Sequence, residues 1–145
     1  MEYNDNIISS PDEFALLAKE YNEKLKRSKL ESKSLFEKLY LLNWVYGYIA
    51  IRIRNIRIRN EFKALEKEVS QNIALLLSEL ETEFSETNIA LPKRPNNLRF
   101  CLKFAIQKET EFLEELVSFL DEDSPVLREI AFSHLNNIFK LSNYF

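Results

Sequence analysis

The sequence predicts an all-α protein, a four- to five-helix bundle that forms a single domain over residues 1–145. The first observation is that the chain contains one Gly, whereas a β-rich domain needs many tight turns, which Gly usually supplies. The second is that long segments carry apolar residues at the helical spacings of three and four. A chain that turns this rarely has few, long elements, and helices are the natural choice.

The composition is that of a globular domain, with 46% hydrophobic and 30% charged residues. The net charge of −3 gives no general attraction to nucleic acid or membrane. The single Cys101 excludes an intrachain disulfide and a thiolate metal cage. The longest uncharged run, 39–51, has 13 residues, which is too short to span a bilayer. We therefore expect a soluble, cytoplasmic protein with no transmembrane segment.

The first helix is predicted over residues 11–29. Ser10 is a suitable N-cap, Pro11 fits the first turn, and Glu13 completes a capping box three residues after Ser10. One face of this helix carries the apolar side chains Phe14, Leu17, Tyr21 and Leu25.

A very long central helix is predicted over residues 34–86, beginning at Ser34 with Glu37 three residues later. Apolar residues follow one stripe from Tyr40 to Phe84 at spacings of three and four, with Asn55 inside the stripe. We favour an unbroken helix, about 80 Å long at 1.5 Å per residue. The alternative is two collinear or antiparallel helices broken near 55–60, because Asn favours caps and turns.

Residues 51–60 form a tandem repeat, IRIRNIRIRN. Its alternation alone is typical of a strand. The five-residue period shifts that alternation at Asn55, however, and both Ile51 and Ile58 remain in the helical stripe. We therefore interpret the repeat as helix, with a strand or hairpin as the less favoured alternative.

Two further helices are predicted over 98–120 and 125–141. Residues 87–97 contain two Pro and three Asn and form the clearest loop. The segment DEDSP is a turn in which Ser124 can cap the last helix and Pro125 can begin it.

These two helices each carry a polar residue within an apolar stripe, Glu109 in one and His134 in the other. An antiparallel fold about the turn places Glu109 opposite Asn137 and His134 opposite Phe112, so Glu109 and His134 lie within reach of each other. A buried carboxylate is costly unless paired, and a satisfied core pair is the favoured interpretation. Both are weak candidates for metal ligands, but one His and one Glu form an incomplete ligand set. No catalytic residue and no cofactor is predicted.

The segment from Ala105 to Leu141 resembles the second helical hairpin of rubrerythrin-type ferritin-like proteins. In that family, an inward Glu on one helix and a Glu-x-x-His on the next bind a pair of iron ions. Glu109 matches the first Glu and His134 matches the His, but Ala131 stands where the second Glu would be, and the chain has no other His. The resemblance implies a degenerate ferritin-like or other metal-binding bundle centred on Glu109 and His134.

A second resemblance concerns Arg128 and His134, which fit the spacing of the Arg-x4–6-His motif of HEPN-type ribonucleases. In that all-α family, the Arg and His act together on the RNA backbone. The residue after the Arg is here Glu129, an anionic group beside the expected phosphate. This resemblance implies a HEPN-like ribonuclease as a remote alternative.

Partner-binding candidates surround the tandem repeat, which holds four Arg within eight residues. The first half of the central segment carries a second apolar stripe, formed by Leu35, Leu42, Ile49, Ile53 and Ile56. Tyr46 lies on neither stripe and is expected at the surface near these cations, and Tyr and Arg are enriched at interface centres. A polar residue in an apolar stripe can fix the register between helices, and we assign that role to Asn55. The Arg candidates are Arg52, Arg54, Arg57 and Arg59.

The chain lacks a P-loop, GxGxxG, GxSxG, HExxH or paired CxxC motif. The favoured function is therefore a non-enzymatic protein-interaction module, such as an adaptor, an immunity-type protein or an assembly subunit. It acts through helix faces on a protein partner or in a homodimer. Nucleic acid is an unlikely partner, and no small-molecule substrate is evident.

Overall fold

The computed structural model describes residues 11–84, 89–92, 97–118 and 124–144, without the side chains of 22–31. All regular structure in these ranges is α-helical, which confirms the predicted fold class. The helices are α1 (Pro11–Arg52), α2 (Ile56–Glu79), α3 (Leu98–Val117) and α4 (Pro125–Ser142). Among these ranges, no helix is long and apolar enough to cross a membrane.

The long helix is α1, and its position differs from the prediction. It has 42 residues, about 63 Å at the helical rise, and it joins the predicted first helix to the first part of the predicted central one. Ser34 does not begin a helix. Its hydroxyl instead donates a hydrogen bond to Glu115 in α3 at 3.1 Å.

The chain breaks after Arg52, so the favoured unbroken helix over 34–86 is wrong, and the alternative of two antiparallel helices broken near 55–60 is found, with the break at 53–55. Asn55 is exposed and caps α2, with its side chain accepting a hydrogen bond from the Ile58 backbone N–H at 3.1 Å. It is therefore not a buried register residue. Arg59 donates from two guanidinium nitrogens to the Ile53 carbonyl at 2.7 and 3.0 Å. Each end of the junction thus has a side-chain partner for one of the backbone groups that a helix terminus leaves free.

The predicted stripe from Tyr40 to Phe84 is buried in α2 but not in all of α1. In α2, the stripe residues from Phe62 to Leu76 are buried as predicted, whereas in α1 Ile51 is 82% exposed. The buried face of α1 combines three residues of the predicted second stripe, Leu35, Leu42 and Ile49, with residues that belong to neither predicted stripe. It consists of Leu35, Phe36, Leu39, Leu42, Val45, Tyr46, Ile49 and Ala50.

The four helices form a bundle in which α1 contacts α2 and α3, and α4 also contacts α2 and α3. Helices α1 and α4 therefore lie at opposite corners. Each neighbouring pair is antiparallel, as shown for α2 and α4 by the Glu79–Ser124 and Phe62–Tyr144 contacts. Because α2 and α3 run in the same direction, the end of α2 and the start of α3 lie at opposite ends of the bundle, as in four-helix bundles that have a crossover connection.

Asn97 and Ser124 occupy the N-cap positions of the last two helices, but only Asn97 caps the backbone with its side chain. Asn97 accepts a hydrogen bond from the Phe100 backbone N–H at 2.7 Å at the start of α3. Ser124 precedes Pro125 at the start of α4, as predicted, but its hydroxyl donates to Glu79 of α2 rather than capping the backbone. The predicted cap Ser10 lies outside the described residues.

Candidate functional site

A cluster of buried polar side chains lies at the centre of the bundle around Glu109. His134 Nδ1 lies 2.6 Å from one carboxylate oxygen of Glu109, so the contact predicted from the sequence is confirmed. The other oxygen accepts hydrogen bonds from the Tyr46 hydroxyl at 2.5 Å and from Asn137 Nδ2 at 3.3 Å. All four residues are 0% exposed. The carboxylate thus has three donors, which is what stabilises a buried anion.

The cluster continues from His134 to α2. Asn72 Nδ2 lies 3.1 Å from His134 Nε2 and 3.1 Å from the Ser133 hydroxyl oxygen. The Ser133 hydroxyl donates to Glu68, so its oxygen is left to accept from the Asn72 amide. An amide nitrogen that donates twice requires His134 Nε2 to be an acceptor. These bonds are satisfied together when the imidazole carries a hydrogen on Nδ1 and donates a hydrogen bond from it to Glu109.

The sequence places these side chains through helical spacing. Glu109 lies between Ala105 and Phe112 on the buried face of α3. His134 and Asn137 are three residues apart on α4 and therefore project to the same side. The predicted neighbour of His134 is also found, since its ring centroid lies 4.6 Å from that of Phe112.

Tyr46 is the main correction to the predicted site. It was expected at the surface beside the Arg cluster, but it is fully buried and bonds to Glu109. Burial and the adjacent Glu109 carboxylate raise the pKa of Tyr46 well above its ordinary value. The phenol therefore stays protonated at physiological pH and donates a hydrogen bond to the carboxylate.

Asn72 is a cluster member that the sequence reasoning missed. It lies three residues after Val69 and four before Leu76, both buried. A polar residue at these spacings from a buried stripe is the signal that identified Glu109 and His134. The same search on α2 would have found Asn72.

The cluster provides few metal ligands. Within the described ranges, no three His, Cys, Asp or Glu side chains come close enough together to hold a metal ion. One polar atom is left over: among the described residues, no group bonds to Asn137 Oδ1, which is buried. The cluster residues whose oxygen or nitrogen atoms could bind a metal are Glu109, His134, Tyr46 and Asn137. All of these buried atoms except Asn137 Oδ1 already have a hydrogen-bond partner.

The four predicted partner-binding Arg residues lie around the α1–α2 junction, but they are engaged differently. Arg52 stacks over the Tyr48 ring at 4.6 Å, and Arg59 caps α1 as described above. Arg57 forms an exposed ion pair with Glu61 at 3.7 Å. Arg54 is exposed. With Tyr46 buried, the predicted Tyr/Arg patch is reduced to these cations.

Two exposed apolar stripes were not singled out by the sequence reasoning as sites. The N-terminal part of α1, residues 11–21, which we call the arm, exposes Phe14 (64%), Leu17 (48%) and Tyr21 (63%). The outward face of α4 exposes three side chains at the same spacing. They are Phe132 (69%), Leu135 (42%) and Phe139 (63%).

Comparisons with known proteins find no matching family model, no matching curated protein and no matching solved structure.

Proposed function

We propose that this protein is a helical interaction module that self-associates through exposed apolar helix faces, in the manner of an adaptor, immunity-type protein or assembly subunit. The observation that carries the proposal is the arm. Three of its apolar residues, Phe14, Leu17 and Tyr21, lie on one helix face and are half to two-thirds exposed. Contiguous apolar surface of this kind is typical of protein interfaces.

The length of α1 supports the same proposal. It has 42 residues, whereas α2, α3 and α4 have 24, 20 and 18. Ser32 is the first residue of α1 whose described side chain is buried. Isolated helices shorter than about 12–15 residues are marginal in water, and most helical stability in proteins comes from packing an amphipathic face. The arm gains that packing if a second molecule covers it.

Sedimentation equilibrium over a wide concentration range tests this proposal. The wild type should form a dimer, and the arm variant Phe14→Ser, Leu17→Ser, Tyr21→Ser should be monomeric with unchanged helical content of the bundle. The matched control is Phe100→Ser, which removes a 58% exposed ring from α3 and should leave the dimer intact. A wild type that stays monomeric at the highest concentrations contradicts self-association.

The second candidate function is a metal-binding bundle centred on Glu109 and His134, as the ferritin-like resemblance implies. The observation in its favour is that all four helices contribute a buried polar side chain to one cluster, namely Tyr46, Asn72, Glu109 and His134. Elemental analysis of protein purified without an affinity tag is the test. Stoichiometric iron, manganese or zinc that is lost in Glu109→Gln supports it, and metal-free wild type refutes it.

No observation favours the ribonuclease alternative. His134 is 0% exposed and bonds to Glu109, whereas Arg128 is exposed and its guanidinium donates to the Ser124 carbonyl at 3.4 Å. A phosphodiester at the surface does not reach an imidazole enclosed in this way. RNA cleavage that is abolished by His134→Ala would overturn this conclusion.

A further inference from the structure

We propose that a second copy of this chain covers the arm. The arm of each copy then packs antiparallel against the outward face of α4 of the other copy. This inference rests on the proposed self-association and adds the surfaces that form it. The α4 face is defined by Phe132, Leu135 and Phe139.

The two stripes have complementary spacing. The arm presents apolar residues at positions 14, 17 and 21, and α4 presents them at 132, 135 and 139. Both sets therefore follow the pattern i, i+3, i+7, which lines one side of a helix. In an antiparallel pair, Phe14 lies opposite Phe139, Tyr21 lies opposite Phe132, and Leu17 and Leu135 meet between them.

The two faces also point toward each other under a two-fold axis. Seven-residue steps back from the buried Leu35 lead through position 28 to Tyr21 and Phe14, and such steps keep side chains on nearly the same helix face. The arm's stripe therefore faces the same side as the core face of α1. Because α4 lies at the opposite corner of the bundle, its outward face points away from α1. A two-fold axis perpendicular to the helices brings these two faces together.

The distances along the helices agree with this pairing. Ser34 contacts Glu115 of α3, and the α3–α4 pairs Glu109–Asn137 and Phe112–His134 place Glu115 level with position 131. The start of α4 at Pro125 is then level with position 28 of α1. At 1.5 Å per residue, Phe14 lies about 21 Å beyond that level, and Phe139 lies about 21 Å from the start of α4.

Tyr21 and Phe132 are each seven residues from the same level, about 10 Å along their helices. Two bundles placed end to end therefore bring both aromatic pairs into register without any change within either bundle.

The area is sufficient for a stable dimer. A fully buried aromatic side chain removes about 150–250 Å² from water, so each of the four rings, at 63–69% exposure, still offers roughly 130 Å². Two reciprocal contacts cover eight rings, roughly 1,000 Å². The leucines bring the total into the range of about 1,200–2,000 Å² that is typical of specific interfaces.

The charges at the ends of the two stripes are complementary. The first turn of α1 is acidic, with Asp12 and Glu13. The last turn of α4 is basic, with Lys140. In the antiparallel register, position 13 lies opposite position 140, so the acidic end of the arm meets the basic end of α4. The parallel arrangement would instead place the acidic first turn near Glu129.

Cross-linking between copies tests the pairing directly. Chains carrying Leu17→Cys are mixed with chains of a different mass carrying Leu135→Cys, and a short bismaleimide is added. The expected product is a covalent heterodimer of the two chains. The matched control replaces Leu135→Cys with Phe100→Cys, at an exposed site on α3 outside the proposed interface, and should yield no such product. The native Cys101 is buried, and each single variant treated alone reports any contribution from it.

A second measurement follows the dissociation of the dimer rather than cross-linking between its chains. The variant Phe132→Asp, Phe139→Asp should raise the dissociation constant of the dimer by at least about 100-fold, as expected when two central aromatic residues are lost from an interface. Circular dichroism confirms that the variant remains helical, because both side chains are exposed in the single chain.

The outcomes separate the two proposals. Covalent heterodimer and a weakened aspartate variant support the arm–α4 pairing. A wild-type dimer that neither cross-links between positions 17 and 135 nor weakens in the aspartate variant overturns the pairing but leaves self-association standing. A wild type that is monomeric at all concentrations overturns both.

Discussion

The hydrogen bond between Tyr46 and Glu109 gives the sharpest prediction for the buried cluster. Tyr46→Phe removes one hydroxyl group and leaves the ring, so it creates almost no cavity. The bond lost is 2.5 Å long and lies between two fully buried residues. Hydrogen bonds to charged groups contribute about 1.5–3 kcal/mol. We therefore expect the free energy of unfolding to fall by about 2 kcal/mol, with a decrease in Tm of about 4–8 °C for a domain of this size.

The assay is urea denaturation at neutral pH, followed by far-ultraviolet circular dichroism. The matched control is Tyr144→Phe, which removes a hydroxyl that bonds to Glu61 in an exposed position; it should change the free energy of unfolding by less than about 0.5 kcal/mol. A double-mutant cycle with Glu109→Gln then isolates the pair.

Two results of this cycle would contradict a stabilising bond between Tyr46 and Glu109. If Tyr46→Phe costs no more than the Tyr144 control, or if its cost is unchanged in the Glu109→Gln background, Tyr46 does not stabilise the Glu109 carboxylate. The buried cluster would then have to be satisfied in another way.

Three other predictions concern the helix junction, the close approach of α1 to α2, and alkaline pH. Asn55→Ala should lower the free energy of unfolding by about 1 kcal/mol, the usual contribution of an N-cap side chain, as measured by urea denaturation; an unchanged midpoint would show that the cap is dispensable. Gly47→Ala places a Cβ on the carboxylate end of the flexible Glu66 side chain, which can move aside. In the Glu66→Ala background, Gly47→Ala should therefore stabilise the protein by up to about 1 kcal/mol, the difference in helix propensity, and a loss of stability would place the obstruction elsewhere. Because the pKa of Tyr46 is raised in the folded state, the unfolded chain loses this proton first as the pH rises above about 10. The difference in stability between wild type and Tyr46→Phe should be constant below that pH and should shrink above it; a difference that grows with pH contradicts the raised pKa.

The helices themselves were largely predictable, because local patterns decide them. The predicted starts of α3 at Leu98 and of α4 after Ser124 agree with the structure. Of the predicted loop at 87–97, the described residues 89–92 and 97 are not helical. The break at positions 53–55 was not predicted as the favoured outcome, since the apolar spacing continues across it without a phase change. Asn55 was recognised as the possible breaking point, but the sequence pattern does not say whether an Asn at such a place will cap a new helix or remain within an old one.

The buried cluster was predictable in part for the same reason. Glu109 and His134 belong to helices joined by a short turn, so their contact follows from antiparallel packing of adjacent segments. Tyr46 and Asn72 reach the cluster from α1 and α2. Tyr46 is 63 residues from Glu109 in the sequence, and Asn72 is 62 residues from His134. Contacts between residues so far apart depend on which faces of the helices meet. Because Tyr46 belonged to neither predicted stripe of α1, it was predicted to lie at the surface.

The helical fold class, the antiparallel α3–α4 pair and the apolar stripe of the arm follow from the sequence alone. These depend on residue type and on spacing within one element or one hairpin. Only the tertiary structure decided that α1 turns back at Asn55, that Tyr46 is a core residue, and that the arm and the outward face of α4 remain exposed. The physical reason is that helical periodicity fixes which side chains share a face, whereas the partner of each face is chosen by packing across the whole bundle.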